Sequence, residues 1–178
     1  MKITRKWTVV FFYIVAIFVI TPYLPQLIRT ASSRWSSSGV SRFVLGTEIA
    51  IALFILAIAA IYLIYRKKRS ALFLIYVGSI FLLSFIIYQF IPNPYEFTHL
   101  PEYAILSILI VRALNKERGS SFIKNSYFLS GLSSGVIGVT DEVYQYFLPN
   151  RFFTWYDVLL NILGGILGLL IYWRIKNH

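Results

Sequence analysis

Six apolar runs, at 7–23, 43–65, 71–91, 99–114, 126–148 and 158–173, take up most of this 178-residue chain and leave only short polar connections. A helix that crosses a bilayer needs about 20 predominantly apolar residues. The second and third runs meet that length outright. The first, fourth and sixth, at roughly 16–17 residues, borrow flanking loop residues to span. The fifth turns polar in its second half. Composition agrees: 58% of the residues are hydrophobic and 13% charged, where a soluble domain carries about 25% charged. That balance excludes a disordered chain, a coiled coil and an ordinary water-soluble enzyme. The absence of cysteine excludes a disulfide framework, a Cys-based zinc site and a thiol nucleophile. The expected fold is all-α, a polytopic transmembrane bundle of about six helices. Residues 1–70 would form two helices with a Ser-rich outer loop at 32–41, and 71–178 a four-helix core.

The chain carries 17 Lys+Arg against 7 Asp+Glu, a net charge of +10. In a chain this apolar, such an excess reads as topology rather than nucleic-acid binding. With the N-terminus in the cytoplasm, thirteen basic residues fall inside: Lys2, Arg5, Lys6, the cluster 66–69, Arg112, Lys116, Arg118, Lys124, Arg174 and Lys176. Four fall outside: Arg29, Arg34, Arg42 and Arg151. This bias predicts both termini in the cytoplasm of a bacterial cell and a multi-pass protein of its cytoplasmic membrane. The first run is expected to stay in the chain, because Thr21-Pro22-Tyr23 is no small-x-small cleavage site. Trp35 is placed to rest at the membrane surface. The acids distribute the other way. Glu48, Glu96, Glu102, Asp141, Glu142 and Asp157 fall outside, and only Glu117 inside. Carboxylates within membrane helices are costly and mark candidate functional sites.

Two segments concentrate the polar chemistry. At the start of the fourth run, Thr98 is a fitting N-cap and Pro101 is tolerated in the first turn. His99 and Glu102, three apart, then share one helical face, a spacing suited to an acid–base pair or a metal. In the fifth run, Asp141 and Glu142 lie below a helix end set by Pro149, with Gln145 one turn on from both. Adjacent helical residues diverge by about 100°, so the two carboxylates are expected to have different tasks. Arg151, in the aromatic loop that follows, is either a neutralising charge or an anchor for an anionic group. Thr154-x-x-Asp157 fits an N-terminal capping box in its Asp form, and Asn161 lies one turn deeper on the same face.

Small residues indicate how these helices meet. Gly131-x-x-x-Gly135 and Ser134-x-x-x-Gly138 line the fifth run, and Gly164-x-x-x-Gly168, with Gly165, the sixth. Such faces let backbones approach closely, and the two runs are expected to pack together and gather Asp141, Glu142, Gln145, Asp157 and Asn161. The segment 131–135 also matches G-x-S-x-G. That motif needs a strand–turn–helix elbow with a histidine in reach, whereas here it sits inside a helical run far from His99 and His178.

Together, His99-x-x-Glu102-Tyr103, Asp141-Glu142-x-x-Gln145, Pro149-x-Arg151 and Asp157-x-x-x-Asn161-x-x-Gly164 resemble the VanZ-like family of bacterial membrane proteins over about 71–173. Glu96 stands where family members often carry an Asp. The family is named for a protein associated with resistance to teicoplanin, a lipid-tailed glycopeptide acting on the cell envelope. The resemblance adds Tyr103 to the site. It implies a partner that is a membrane lipid or a lipid-linked envelope component. Two principal readings stand open. In one, Tyr103, Gln145, Arg151, Asp157 and Asn161 bind such a molecule. In the other, His99, Glu102, Asp141 and Glu142 are catalytic and modify it, with a divalent metal on His99, Glu102 and one of the two adjacent acids as an option. A third has the polar groups only pin helix ends.

Overall fold

The computed structural model describes residues 5–20, 22–23, 30, 33, 39, 71–90, 94–118, 123–149 and 151–176. The expected run 43–65, the basic cluster 66–69, most of the Ser-rich loop with Trp35, and Glu48 lie outside them. Among the described residues, five α-helices follow one another: α1 (Arg5–Ile20), α2 (Ala71–Gln89), α3 (His99–Arg118), α4 (Ile123–Tyr146) and α5 (Trp155–Lys176). A 3-10 turn, Pro94–Thr98, leads into α3. No strand occurs among them. Two stretches, Glu96–Asn115 and Trp155–Lys176, are long and apolar enough to cross a membrane. The 16 residues of α1 are fewer than such a span needs. The 24-residue α4 is long enough, but its serines and carboxylates lower its hydropathy.

Helix ends follow local chemistry. After Tyr146 the chain tightens, with Phe147 N–H donating to Tyr144 O (3.1 Å) and Leu148 N–H to Gln145 O (3.0 Å). Pro149 then disfavours helical backbone at Leu148. The last helix begins three residues before the expected 158 because Thr154 caps it: its Oγ1 accepts the Asp157 N–H at 3.0 Å.

The described chain divides into two compact units. The first joins Met1–Ile28 to Thr98–Trp173. Within it α1 runs antiparallel to α3. Lys6 Nζ donates to Arg112 O at 3.2 Å at one end, and the Tyr13 hydroxyl to Glu102 O at 3.1 Å towards the other. Val10 and Ile17 of α1 join Tyr103, Leu106, Ile110, Ala113 and Leu114 of α3 in one apolar core. On its other side α3 meets polar and small residues. Ser130 Oγ donates to Ser107 O (2.7 Å), and Ser107 Oγ to Gly165 O (2.9 Å). These contacts set α4 antiparallel to α3, and α5 parallel to it.

The glycines of α5 correct one expectation. Gly165 does face α4, where an added Cβ would meet Ser134 Oγ at 3.2 Å. Gly164 and Gly168, however, face α3. A Cβ on Gly164 would lie 3.0 Å from Leu100 Cα, and one on Gly168 would lie 2.6 Å from Ser107 Oγ. Both would also run into the carbonyl oxygens of Leu100 and Ala104. The motif thus brings α5 onto the His99 helix. Gly138 is what admits α5 to α4, since its missing Cβ is replaced by Asn161 Cβ at 2.8 Å.

The second unit, Arg29–Phe97 with Arg174–His178, contains α2. Ser79 and Ser84 return their hydroxyls to the carbonyls of Ile75 (2.8 Å) and Ile80 (3.0 Å). Helical serines in apolar surroundings satisfy themselves in this way. Tyr88 packs edge-on against Phe97 of the 3-10 turn, 5.2 Å between ring centres.

Candidate functional site

The first unit buries a set of polar side chains beside its apolar core, and it exposes apolar faces. Its buried polar or charged side chains are His99, Ser107, Ser126, Ser130, Ser134, Asp141, Glu142, Gln145, Asp157 and Asn161. Its exposed positions include Phe11 and Phe12 on α1, Val136 and Val143 on α4, and Leu159 and Ile166 on α5. On α4 the buried set recurs every fourth residue, at Ser126, Ser130, Ser134 and Gly138, then at Asp141, Glu142 and Gln145. This is one helical stripe.

The charged end of the stripe lies where the beginnings of α3 and α5 meet the end of α4. Asp141 is 1% exposed and Glu142 0%. Burying a carboxylate costs several kcal/mol unless it is paired or hydrogen-bonded, and both are partly provided for. Gln145 Nε2 donates to Asp141 Oδ2 (3.2 Å) and to Glu142 Oε1 (3.1 Å), so one amide ties the two acids together. Beyond that their partners diverge, as adjacent helical positions require. Asp141 Oδ2 also accepts from the Tyr103 hydroxyl of α3 at 3.4 Å. Glu142 Oε2 accepts from the Thr154 backbone N–H at 3.4 Å.

The Thr154–Asp157 cap is realised with a modification. Thr154 Oγ1 accepts the Asp157 N–H and donates to Asp157 Oδ2 at 2.7 Å. A capping box would have the acid reach back to the cap's own N–H. That N–H points instead to Glu142, so the start of α5 is stitched to the end of α4. Asn161 Nδ2 donates to Gly138 O at 3.3 Å, and the same side chain lies against His99.

His99 is 6% exposed. Its ring stacks beside Tyr103, with centres 6.5 Å apart and planes at 28°. Asp141, Asp157 and Arg151 all act on it electrostatically. The Arg151 charge also bears on Glu102, Asp141 and Glu142. It is the cation placed to offset this acidic group. One ligand atom each from His99, Asp141 and Glu142 fall within 4.8 Å of one another. Glu102, three residues from His99, is not in that trio. Tertiary packing brings the two acids of α4 to the histidine. Glu96 sits half-buried in the 3-10 turn of the other unit.

Several buried polar atoms here carry no hydrogen bond: His99 Nδ1, Asp141 Oδ1, Asp157 Oδ1 and Arg151 Nε. Native interiors leave few such atoms. With Asn161 Oδ1 these make five such atoms on residues of one cluster, which leaves hydrogen-bonding capacity unused there. Ser107 is the residue that sequence reasoning missed. His99, Tyr103 and Ser107 recur at i, i+4 and i+8, a spacing that marks one face of α3. The G-x-S-x-G match lies inside α4, as expected, with no elbow.

No curated protein and no solved structure matches this chain. The family model for VanZ/LLP1 does, from residue 8 to residue 176, so that the match takes in α1 as well as the helices that carry the polar cluster. With nearly the whole chain covered, the protein belongs to the VanZ/LLP1 family.

Proposed function

We propose that this protein is a multi-pass protein of the bacterial cytoplasmic membrane, and that the chamber between α3, α4 and α5 opens to the extracytoplasmic side. There it binds the polar part of an envelope lipid, a lipid-linked precursor or a lipoglycopeptide. The observation that carries this reading is a buried polar cluster in a unit whose exposed faces are apolar. Unpaired His99, Asp141, Asp157 and Arg151 atoms lie inside, behind exposed faces of Phe, Val, Leu and Ile. Extended apolar faces are disfavoured in water and at home in acyl chains. The basic residues favour the cytoplasm for the ends opposite the chamber. Arg151 holds an anionic headgroup by a forked pair of hydrogen bonds, while Tyr103, Gln145, Asp157 and Asn161 complete the polar wall. The exposed Phe152 and Trp155 seat the acyl chains beside it.

The grouping of His99 with two carboxylates favours a second reading, acid–base modification of the same lipid. The experiment compares a sensitive Gram-positive host expressing the parent chain, Glu142→Gln or Arg151→Gln at matched membrane levels. Teicoplanin and vancomycin susceptibility and extracted lipids are measured. Under the binding reading the parent lowers teicoplanin susceptibility and retains an envelope lipid on purification, and both variants lose these properties. A new lipid product that depends on Glu142 selects the enzymatic reading. Equal behaviour of parent and variants in every measurement refutes both and leaves the polar groups a purely structural role.

A further inference from the structure

We infer that His99, Asp141 and Glu142 form a binding site for one divalent transition-metal cation, zinc or manganese. The inference rests on the same chamber as the proposed function and adds a cofactor to it. Its basis is geometry. One ligand atom from each of the three side chains lies within 4.8 Å of the other two. Three donors sharing one cation at about 2.0–2.2 Å lie about 3.3–3.8 Å from one another. The widest separation in the set closes with a side-chain movement of about 1 Å.

A second observation points to a missing ligand rather than to a self-contained acidic cluster. His99 Nδ1 and Asp141 Oδ1 belong to side chains 6% and 1% exposed, and neither atom has a hydrogen-bond partner. The oxygens that are engaged have the partners that orient metal-bound carboxylates. Gln145 bridges Asp141 Oδ2 and Glu142 Oε1, Tyr103 steadies Asp141, and the Thr154 N–H steadies Glu142. Each bond takes one lone pair and leaves others for a metal.

Charge supports the same conclusion. Two carboxylates and a neutral imidazole sum to minus two, which a divalent cation cancels. Arg151 brings one positive charge to the four acids Asp141, Glu142, Glu102 and Asp157. The donor set narrows the metal. An imidazole suits zinc and the later transition metals, and two carboxylates extend the range to manganese; a calcium site would be all oxygen. Three protein donors also leave coordination positions open, so an oxygen of a bound headgroup can complete the shell beside Arg151.

The test uses the full chain in detergent, as parent, His99→Ala, Asp141→Asn and Glu142→Gln. Each is stripped with chelator, checked for monodisperse elution and helical circular dichroism, and titrated with zinc and with manganese; lipids are extracted from the same preparations. The parent is expected to take up one cation per chain and to unfold at a higher temperature with it. Ligand variants should lose more than the about 10–100-fold in affinity that removal of an orienting partner costs. If the stripped, folded parent binds neither cation, or if folded variants bind as the parent does, the site is refuted. Should the variants fail to fold, the parent's own stoichiometry and thermal shift decide. Cation uptake without retained lipid overturns the lipid reading and leaves the metal site standing. Retained lipid on a parent that binds no cation does the reverse.

Discussion

Helix α3 is packed on two sides by different chemistry. Towards α1 it turns Leu106, Ile110 and Ala113 to meet Val10 and Ile17. Towards α4 and α5 it turns His99, Tyr103 and Ser107, which meet serines, glycines and carboxylates. The first side is held by side-chain volume. The second is held by close backbone approach and hydrogen bonds, the terms that specify helix association in lipid, where apolar contact offers no advantage over acyl chains. The comparison separates two tasks within one helix: α1 supports α3 from behind, and α4 and α5 use its other face to build the site.

Substitutions can break that separation, and their effects should fall in order. The largest is expected from Gly164→Leu, which drives a branched side chain into the Leu100 backbone. Overpacking costs about 1–3 kcal/mol or more, and here no flexible neighbour can yield, so folded protein should be lost from size-exclusion profiles. Next is Leu106→Ala on the apolar side. Leu106 is fully buried, and emptying such a site costs about 2–5 kcal/mol, read as a lower unfolding temperature with lipid retention intact in what remains folded. Ser130→Ala, on the polar side, removes one interhelical hydrogen bond and should cost about 0.6 kcal/mol. A shift as large as that of Leu106→Ala would show that the serines, and not the apolar face, hold the bundle. Gly78→Ala is of similar size and opposite sign. Its Cβ would meet nothing within 4 Å, and replacing a helical glycine gains about 0.5–1 kcal/mol, so the unfolding temperature should hold or rise. A loss there would mean that this glycine admits a neighbour. Glu142→Gln sharpens the contrast from the functional side: its amide sets an N–H group against one of the two donors that Glu142 accepts, at about 1–3 kcal/mol, and lipid retention should be abolished in the protein that stays folded.

Much of this was legible in the chain. The helical class followed from run length. The beginning of α3 followed from Thr98 and Pro101, and that of α5 from the Thr154–Asp157 spacing. The assembly of Asp141, Glu142, Gln145, Asp157 and Asn161 followed from small residues shared by neighbouring runs. What was not legible concerned partners rather than positions. Gly164-x-x-x-Gly168 announces a close contact but does not say with which helix, and α3 took it in place of α4. His99 and Glu102 share a face by spacing, yet the acids that converge on His99 come from a helix some forty residues on. The Thr154 N–H to Glu142 contact could not be foreseen, because a cap's N–H has an expected local acceptor and only tertiary structure offers a competitor.

The stripe on α4 also bears on how such a chain is put together. Serines at 126, 130 and 134 and acids at 141 and 142 make this the segment least able to stay in acyl chains alone, while the stretches that become α3 and α5 have the hydropathy to do so. For a chain entering a bilayer from its N-terminus, α4 arrives with only one of its two polar-seam partners in place. It is secured when α5 follows. The stretch from Thr154 to Asn161 therefore completes the seam, and a chain lacking it would leave Glu142 without the Thr154 N–H and Gly138 O without the Asn161 amide.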